Sequence, residues 1–475
     1  MTKNGQHLHR QKGVSVPHTP APFDIIIIGA GVIGCALARR FTLDGAKTLL
    51  LERAPDILDG ASKGNSAILH TGFDAPPGSL EQRCIAAGYA EYLQIHTSLG
   101  LPLIRSGALV IAWTAEEESL LPSLIDQARA NGIDDIQPLS ATETGALEPH
   151  LAPCKASFRV PREYLIDPWS APHAYLLQAL ANGAELRRNC AVTGGQFDGT
   201  HWHLETTQGP TTGKIIINAA GNHGDLIDLM LLGHQDFTIR PRKGQFIVYD
   251  KPAASLATHI LLPVPNKITK GIVVCRTAFG NLLVGPTAED QDDRDRAELV
   301  PDTLRALQTR GEAILPALKG QEITAIYAGL RPATEFKDYQ ICAHTGRNLI
   351  TVGGIRSTGL SSALGTAQHV AALATAFAQI TPLPNPLTPQ TPNISEAAPR
   401  DWQCPGHDGI ICHCELVTRR EISAALTGPL AAQSLAGLKR RTRVTMGRCQ
   451  GFYCTAALAD LTRDHFACPM ATAND

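Results

Sequence analysis

The segment Asp24–Gly29 reads DIIIIG, an apolar run of strand length that ends in glycine. From Val32 to Asp44 the apolar positions recur at helical spacing, and Lys47–Leu51 returns to a strand-like run. The pattern predicts a βαβ unit opening the folded region. Helical spacing returns over Glu116–Asn131, while Lys214–Asn218 and Gln245–Tyr249 are short apolar runs of strand character. Alternation of this kind across roughly 75–330 predicts an α/β core with an inserted antiparallel sheet. After Ala363 the alanine-rich GTAQHVAALATAFAQ predicts a well-packed helix, which must end before TPLPNPLTPQTPN because proline cannot continue it. The chain therefore divides into a polar extension over 1–22, a main module over 23–380, a stiff proline-rich linker over 381–403, and a small domain over 404–470. No internal repeat is apparent.

Composition narrows the functional classes. At 475 residues the chain exceeds one core, and 44% hydrophobic with 18% charged residues describes an ordinary globular protein. A net charge of −2 argues against a general nucleic-acid binder. No apolar run is long enough to cross a bilayer, and the first residues, with Pro17, Pro20 and Pro22, lack the apolar stretch of a signal peptide. They are read as a disordered extension. A cytoplasmic chain is the default expectation. Of twelve cysteines, Cys35, Cys84, Cys154, Cys190, Cys275 and Cys342 are scattered and are expected to be small buried hydrophobes. The remainder gather near the C-terminus, where in a reducing compartment they favour metal or redox chemistry.

Gly29-Ala30-Gly31-Val32-Ile33-Gly34 has the G-x-G-x-x-G spacing and lies at the junction of the first strand and helix. Gly29 permits the tight turn, Gly31 lets the backbone approach a pyrophosphate, and Gly34 lets helix pack on strand. The helix N-terminus presents unpaired N–H groups to the phosphates. Glu52, with Arg53 beside it at the end of the next strand, can accept hydrogen bonds from ribose hydroxyls. The glycines alone do not separate FAD from NAD. A second glycine-rich strand–helix junction, Gly353 to Ser361, together with Asn218-Ala219-Ala220-Gly221, favours the longer flavin nucleotide.

These motifs and Lys63-Gly64-Asn65-Ser66-Ala67-Ile68-Leu69-His70-Thr71-Gly72 resemble the D-amino-acid-oxidase-type flavoprotein superfamily, in the branch of L-2-hydroxyglutarate and glycerol-3-phosphate dehydrogenases. The resemblance covers about residues 23 to 380. It implies a Rossmann-like FAD-binding domain interleaved with an antiparallel-sheet substrate domain. It places Asn65 and Ser66 near the flavin and pyrophosphate, Val192 near the adenine, and Gly221 beside the cofactor. Gly354, Ile355, Ser357, Gly359, Leu360 and Ser361 would touch the isoalloxazine.

Oxidation of an alcohol or amine by a flavin needs a base for the departing proton. His70 is the leading candidate, and the alternative is a structural histidine beneath the flavin. An anionic substrate needs an orienting cation, for which Arg331 and Arg356 are candidates against a salt-bridging role. Lys243 and Arg276 are weaker candidates, with a solvated face the favoured reading for both.

Cys412-x-Cys414 and Cys449-x4-Cys454 form two close pairs able to close around a metal centre. With Met446-Gly447-Arg448 and Gln450-Gly451-Phe452-Tyr453 they resemble the bacterioferritin-associated-ferredoxin-like 2Fe–2S domain, over about 408 to 463. The resemblance implies that Cys412, Cys414, Cys449 and Cys454 ligate the cluster in a small helical domain, and that nearby Lys439, Arg440, Arg441 and Arg443 offset its negative charge. A structural zinc site is the alternative, which the uneven spacing disfavours. Cys404 and Cys468 receive no role.

The sequence thus describes an FAD-dependent dehydrogenase of a small anionic hydroxy substrate, glycerol 3-phosphate first and L-2-hydroxyglutarate or another 2-hydroxy acid next. Electrons would leave singly through the cluster to a partner protein chain or quinone-linked carrier. Such a carrier could hold the chain at the inner membrane surface. Two rival readings remain: a dehydrogenase chain that oxidises amines or opines, and a non-catalytic redox sensor.

Overall fold

The computed structural model describes residues 21–265, 271–377 and 381–470. The expected disordered extension therefore lies almost wholly outside the described residues. Strand β1 (Phe23–Ile28), helix α1 (Val32–Leu43) and strand β2 (Thr48–Leu51) form the opening βαβ unit. β1 pairs in parallel with β2 on one side and with Thr211–Asn218 on the other. Strand Leu349–Gly353 extends the parallel set beside Thr211–Asn218, and Glu185–Arg187 extends it beside β2. Ile25 and Ile27 pack among residues of α1, whereas Ile26 and Ile28 pack toward Trp202, Leu204 and Leu231. Burial on both faces explains why this strand is a continuous apolar run with no polar alternation.

A second sheet of nine described strands covers the open side. It is antiparallel throughout except where Ile260–Pro263 runs parallel to Ala108–Ala112. The helix expected over Glu116–Asn131 is Ala115–Ala130, started by a reciprocal capping box between Thr114 and Glu117. The alanine-rich helix begins earlier than its composition suggested, at Gly359, and runs to Ala374.

The proline-rich segment has no regular structure but is tied down along its length. Leu383 N–H donates to Leu43, Thr391 N–H to Leu99 and Glu396 N–H to Ala278. It is a strap across the main module. Beyond it, the small domain has its own core around Val417, Ile422, Leu438, Val444 and Leu458. Its first helix, Arg419–Ala425, is capped by Thr418 and Glu421.

The basic run of this domain is engaged elsewhere than expected. Arg441 pairs with Asp56 at 3.0 Å, Arg440 with Asp59 at 3.5 Å, and Arg443 with the buried Glu415 at 2.9 Å. These cations are neutralised at the seam between the domains and within the small domain, so Arg440, Arg441 and Arg443 do not serve as free counter-charge for the cysteines. Burial lowers the affinity of Arg441 for its proton, to about 10, which makes its pairing with Asp56 necessary rather than incidental.

The tightest local constraint lies at the glycine turn. A Cβ at Gly34 would stand 1.8 Å from the Gly29 carbonyl oxygen. Gly34→Val is expected to destabilise the fold by about 3 kcal/mol or more through overpacking, read as a lower midpoint in urea unfolding. An unchanged midpoint would contradict this close approach.

Candidate functional site

Between the carboxyl ends of the parallel strands and the second sheet lies one elongated cavity of about 770 Å³. Open α/β sheets place ligands at this edge because the helix N-termini and loop backbones converge there. One end is walled by Glu52, Cys190, Ala191 and Val192, and the other by Gly329, Arg331, Gly353, Gly354 and Ile355. Gly29, Gly31, Asn65, Ser66 and Gly221 line the stretch between, and Arg356, Ser357, Gly359 and Leu360 complete the far end. Gly34 stands behind the wall, in helix–strand contact.

At the near end, Glu52 accepts from Ala30 N–H at 2.8 Å and Ala54 N–H at 2.9 Å. Burial raises its carboxyl affinity for the proton against the pull of those two donors. The carboxylate is thereby fixed with lone pairs still available toward the cavity. Arg53 is held at the rim by Asp295, in a short contact, and faces His223 at 3.4 Å. Ser62 Oγ accepts from Val32 N–H at 3.0 Å, at the first turn of α1. A hydroxyl therefore already sits where this helix end would meet a phosphate. At the roof, Gly64 and Gly329 bring two backbones together so closely that a Cβ on Gly329 would lie 2.7 Å from the Gly64 carbonyl oxygen.

His70 follows the short strand Ile68–Leu69 and is not part of the cavity wall. Its N–H donates to Ser361 Oγ at 2.8 Å, and that hydroxyl in turn donates to Ile68 carbonyl at 3.1 Å. Ser361 is thus engaged in holding the His70 strand against the helix Gly359–Ala374, behind the cavity wall that its neighbours Gly359 and Leu360 form. His70 Nδ1 lies 2.8 Å from Glu163 Oε2. The same carboxylate, fully buried, accepts from Thr71 N–H at 2.6 Å and Thr71 Oγ1 at 2.7 Å. An acceptor-only partner at Nδ1 places the proton there in the neutral ring and makes Nε2 the basic nitrogen.

Arg331 ends strand Ile323–Arg331 and reaches the cavity with no carboxylate paired to it among the described residues. Its guanidinium donates to the carbonyls of Thr287 at 2.7 Å, Lys243 at 3.0 Å and Arg242 at 3.3 Å. Burial, reinforced by Arg242 and Arg356, lowers its proton affinity to about 10. It is still a cation at neutral pH; its hydrogen bonds are all to carbonyls, while Asp290 and Glu289 act on it only through the field, and such a group attracts an anion. Arg356 also lines the cavity, with φ of +52° and a bond from its guanidinium to Lys337 carbonyl at 3.0 Å. Lys243, in contrast to the solvated face expected for it, is buried against Glu289 at 3.2 Å. Arg276 does not reach the cavity; it donates to Thr258 carbonyl at 3.3 Å.

The four clustered cysteines converge in two pairs. The Cys414 thiol faces that of Cys449, and the Cys412 thiol faces that of Cys454. Backbone N–H groups of Tyr453, Gly451 and Phe452 point at Cys449 and hold its thiol below the usual range. Burial, then the neighbouring Cys412, pushes Cys454 up to about 11. A tetrahedral zinc–thiolate site brings all four sulfurs within about 3.8 Å of one another. Among the described residues no three of these sulfurs lie within 4.8 Å of one another. Two separated pairs with N–H donors aimed at sulfur suit a two-iron cluster better than a single ion. Cys404 and Cys468 are exposed and apart, and Cys342 is exposed where a buried hydrophobe was expected.

Four participants carry little or no signal in the sequence. Glu163 is brought to His70 by pairing of Leu69 with Tyr164, a contact across 95 positions with no local signal. Arg294 and Asp295 cover the cavity from a loop, Arg294 paired with the buried Asp225. Ser62 could have been noticed, since Gly60-Ala61-Ser62-Lys63-Gly64 is a small-residue turn that runs into the Lys63–Gly72 motif.

Residues 24–373 match the family described as FAD dependent oxidoreductase, and residues 410–463 match the BFD-like [2Fe-2S] binding domain. The chain is 30% identical to a glycerol 3-phosphate dehydrogenase of Caloramator mitchellensis, covering 92% of this chain and 93% of the relative. It is 31% identical to a glycerol 3-phosphate oxidase of Mycoplasma pneumoniae, over 72% of this chain and 91% of the relative. Among solved structures, an FAD-bound L-alpha-glycerophosphate oxidase from Mycoplasma pneumoniae superposes with TM-score 0.74 at 29% identity, covering 79% of this chain and all of that one. Given the cysteine geometry, Cys414→Ser is expected to remove the broad iron–sulfur absorption and lower bound iron while the flavin bands persist. Full iron retention in that variant would contradict ligation by Cys414. With the family match spanning the cavity, both glycine turns and the second sheet, the chain belongs to the FAD dependent oxidoreductase family and carries a C-terminal BFD-like [2Fe-2S] binding domain.

Proposed function

We propose that this enzyme oxidises glycerol 3-phosphate at its secondary hydroxyl and passes the electrons out through its cysteine domain to a partner protein. The observation that carries the reading is Arg331, a half-buried cation at the far end of the cavity whose hydrogen bonds all go to carbonyl oxygens. An anionic group on the substrate would complete its coordination, and the planar guanidinium suits phosphate or carboxylate oxygens. The names of the relatives favour the phosphate.

FAD bound in the cavity supplies a two-electron acceptor for the hydride of the substrate carbon. The chain's own residues have three tasks. Arg331, with Arg356 beside it, orients the anion and fixes which carbon faces the glycine turn at Gly353–Gly354. His70 stands just behind the wall, so its role as base requires that the bound substrate reach Nε2; with Glu163 on Nδ1 it would then take the hydroxyl proton there, and the carboxylate would stabilise the resulting imidazolium. The loop carrying Arg294 and Asp295 limits water at the nearer end.

Onward transfer is supported by packing between the modules. Trp169 donates to Lys63 carbonyl on the cavity wall and stacks on Phe279 at 5.3 Å. Arg443 of the small domain lies over the Phe279 ring at 4.0 Å. Two residues further, the Thr445 backbone acts to lower the Cys454 thiol against its burial. One-electron exchange at four thiolates suits a protein or quinone-linked acceptor, and the exposed Phe452 and Tyr453 between the ligands provide a contact surface. No described helix is long and apolar enough to cross a membrane. A cytoplasmic location, with any membrane attachment provided by the partner, completes the proposal.

Anaerobic addition of glycerol 3-phosphate is expected to bleach the flavin, whereas L-2-hydroxyglutarate, opines and amino acids leave it oxidised. Bleaching by an amine alone, or by nothing in the panel, would overturn the substrate assignment. Arg331→Ala should raise KM for glycerol 3-phosphate about 10- to 100-fold, the worth of a charged hydrogen-bond pair. His70→Asn should lower kcat by about 10² to 10⁴ with flavin content unchanged. An unaltered kcat would return His70 to a structural role.

A further inference from the structure

On the face of the parallel sheet away from the small domain, His234, Asp236 and His344 form a cluster that none of the chemistry above uses. His234 and Asp236 lie on the connection after helix Gly224–Leu232, and His344 ends strand Gln340–His344. One ligand atom from each lies within 4.8 Å of the other two. His234 Nε2 and Asp236 Oδ1 are 3.9 Å apart, and the two imidazole rings meet edge to face at 6.2 Å. Both loop side chains are more than half exposed, so small rotations can draw the donors to coordinating distance without moving backbone.

We propose that these three side chains bind a divalent transition-metal ion of the zinc type. Two imidazoles and one carboxylate are borderline ligands, which select zinc over magnesium or calcium, and solvent fills the remaining position.

The second observation lies outside the trio. His344 Nε2 is 3.0 Å from Thr351 Oγ1, whose own proton goes to the Asp228 carboxylate at 2.9 Å from both oxygens. With its proton directed to Asp228, the hydroxyl can only accept from His344. The Nε2 proton is thereby fixed and the Nδ1 lone pair is left for a metal. A hydroxyl and a buried carboxylate orienting the distal nitrogen are the outer support that metal-binding histidines characteristically have. Asp228 is 3% exposed and also accepts from Asn218 at 2.7 Å. Asn218 Oδ1 in turn accepts from Ala220 N–H at 3.2 Å, and Ala220 lines the cofactor cavity. The chain from His344 to Ala220 joins the site to the Asn218–Gly221 turn. Metal occupancy therefore stabilises that turn and with it the retention of FAD.

The test uses the tag-free, flavin- and iron-loaded protein, so that the four clustered cysteines are already occupied. Zn²⁺ is titrated calorimetrically, and bound zinc is measured after dialysis against micromolar Zn²⁺. One zinc per chain is expected, with binding weakened at least tenfold in His234→Gln and in His344→Gln, and little effect of Mg²⁺. Zinc should also raise the thermal midpoint of the wild type and not that of His234→Gln. Because His234 is exposed on a loop, its replacement leaves the fold intact and the comparison valid. Absence of stoichiometric zinc in the wild type, or binding in either variant as tight as in the wild type, would overturn the proposal.

Discussion

The architecture depends on one steric fact, that helix α1 can approach strand β1 only where side chains are missing. Gly34 abuts the Gly29 carbonyl, and that contact sets the helix so that its first N–H groups open onto the sheet edge. The parallel strands beside it end at the same edge, so a second glycine turn at Gly353–Gly354 faces the same cavity from the opposite end. A long ligand with a charged middle is the natural occupant. In the proposed arrangement its diphosphate would meet the helix end and Ser62, its ribose Glu52, and its ring system the second turn. The covering sheet then supplies what the Rossmann-like half lacks, a cation at the substrate end in the form of Arg331.

The same loop that follows β2 couples this module to the small domain. Asp56 accepts from Ser434 Oγ at 2.6 Å and from Gln433 N–H at 3.2 Å, and it pairs with Arg441. Asp59, which pairs with Arg440, also lines the cavity. The cysteine domain is therefore docked on the segment that lines the cavity, and residues 381–400 run along the main module before it. Two buried cations matched by two carboxylates confer little net stability, but removing one partner leaves a charge without solvent, which makes such a seam specific in its registry.

Much of this is legible in the sequence because its causes are local. Ile25–Ile28 and the glycine spacing act within a few positions, so the βαβ unit follows from sequence; the caps Thr114 and Thr418, found in the structure, act just as locally. The spacing of Cys412, Cys414, Cys449 and Cys454 is likewise a local property of two loops. What escapes depends on distant pairing. Glu163 reaches His70 only through a strand contact, and Lys243 looks like a surface residue until Glu289 is placed opposite it. The run Lys439–Arg443 reads as counter-charge for the cysteines because they are its neighbours in sequence, whereas Asp56 and Asp59 lie nearly four hundred residues earlier. Ser361 sits in a flavin-facing motif, yet its hydroxyl is engaged by the backbone of Ile68 and His70.

If the chain accepts two electrons at the cavity and releases them one at a time at its cysteines, as proposed, it should show both events in order. The direct test mixes the anaerobic enzyme with one equivalent of glycerol 3-phosphate and freezes samples over time for electron paramagnetic resonance. Loss of flavin absorbance followed by the signal of a reduced [2Fe–2S] cluster, without added mediator, is the predicted result. Full flavin bleaching with a cluster that stays oxidised and silent, while dithionite reduces it readily, would contradict it.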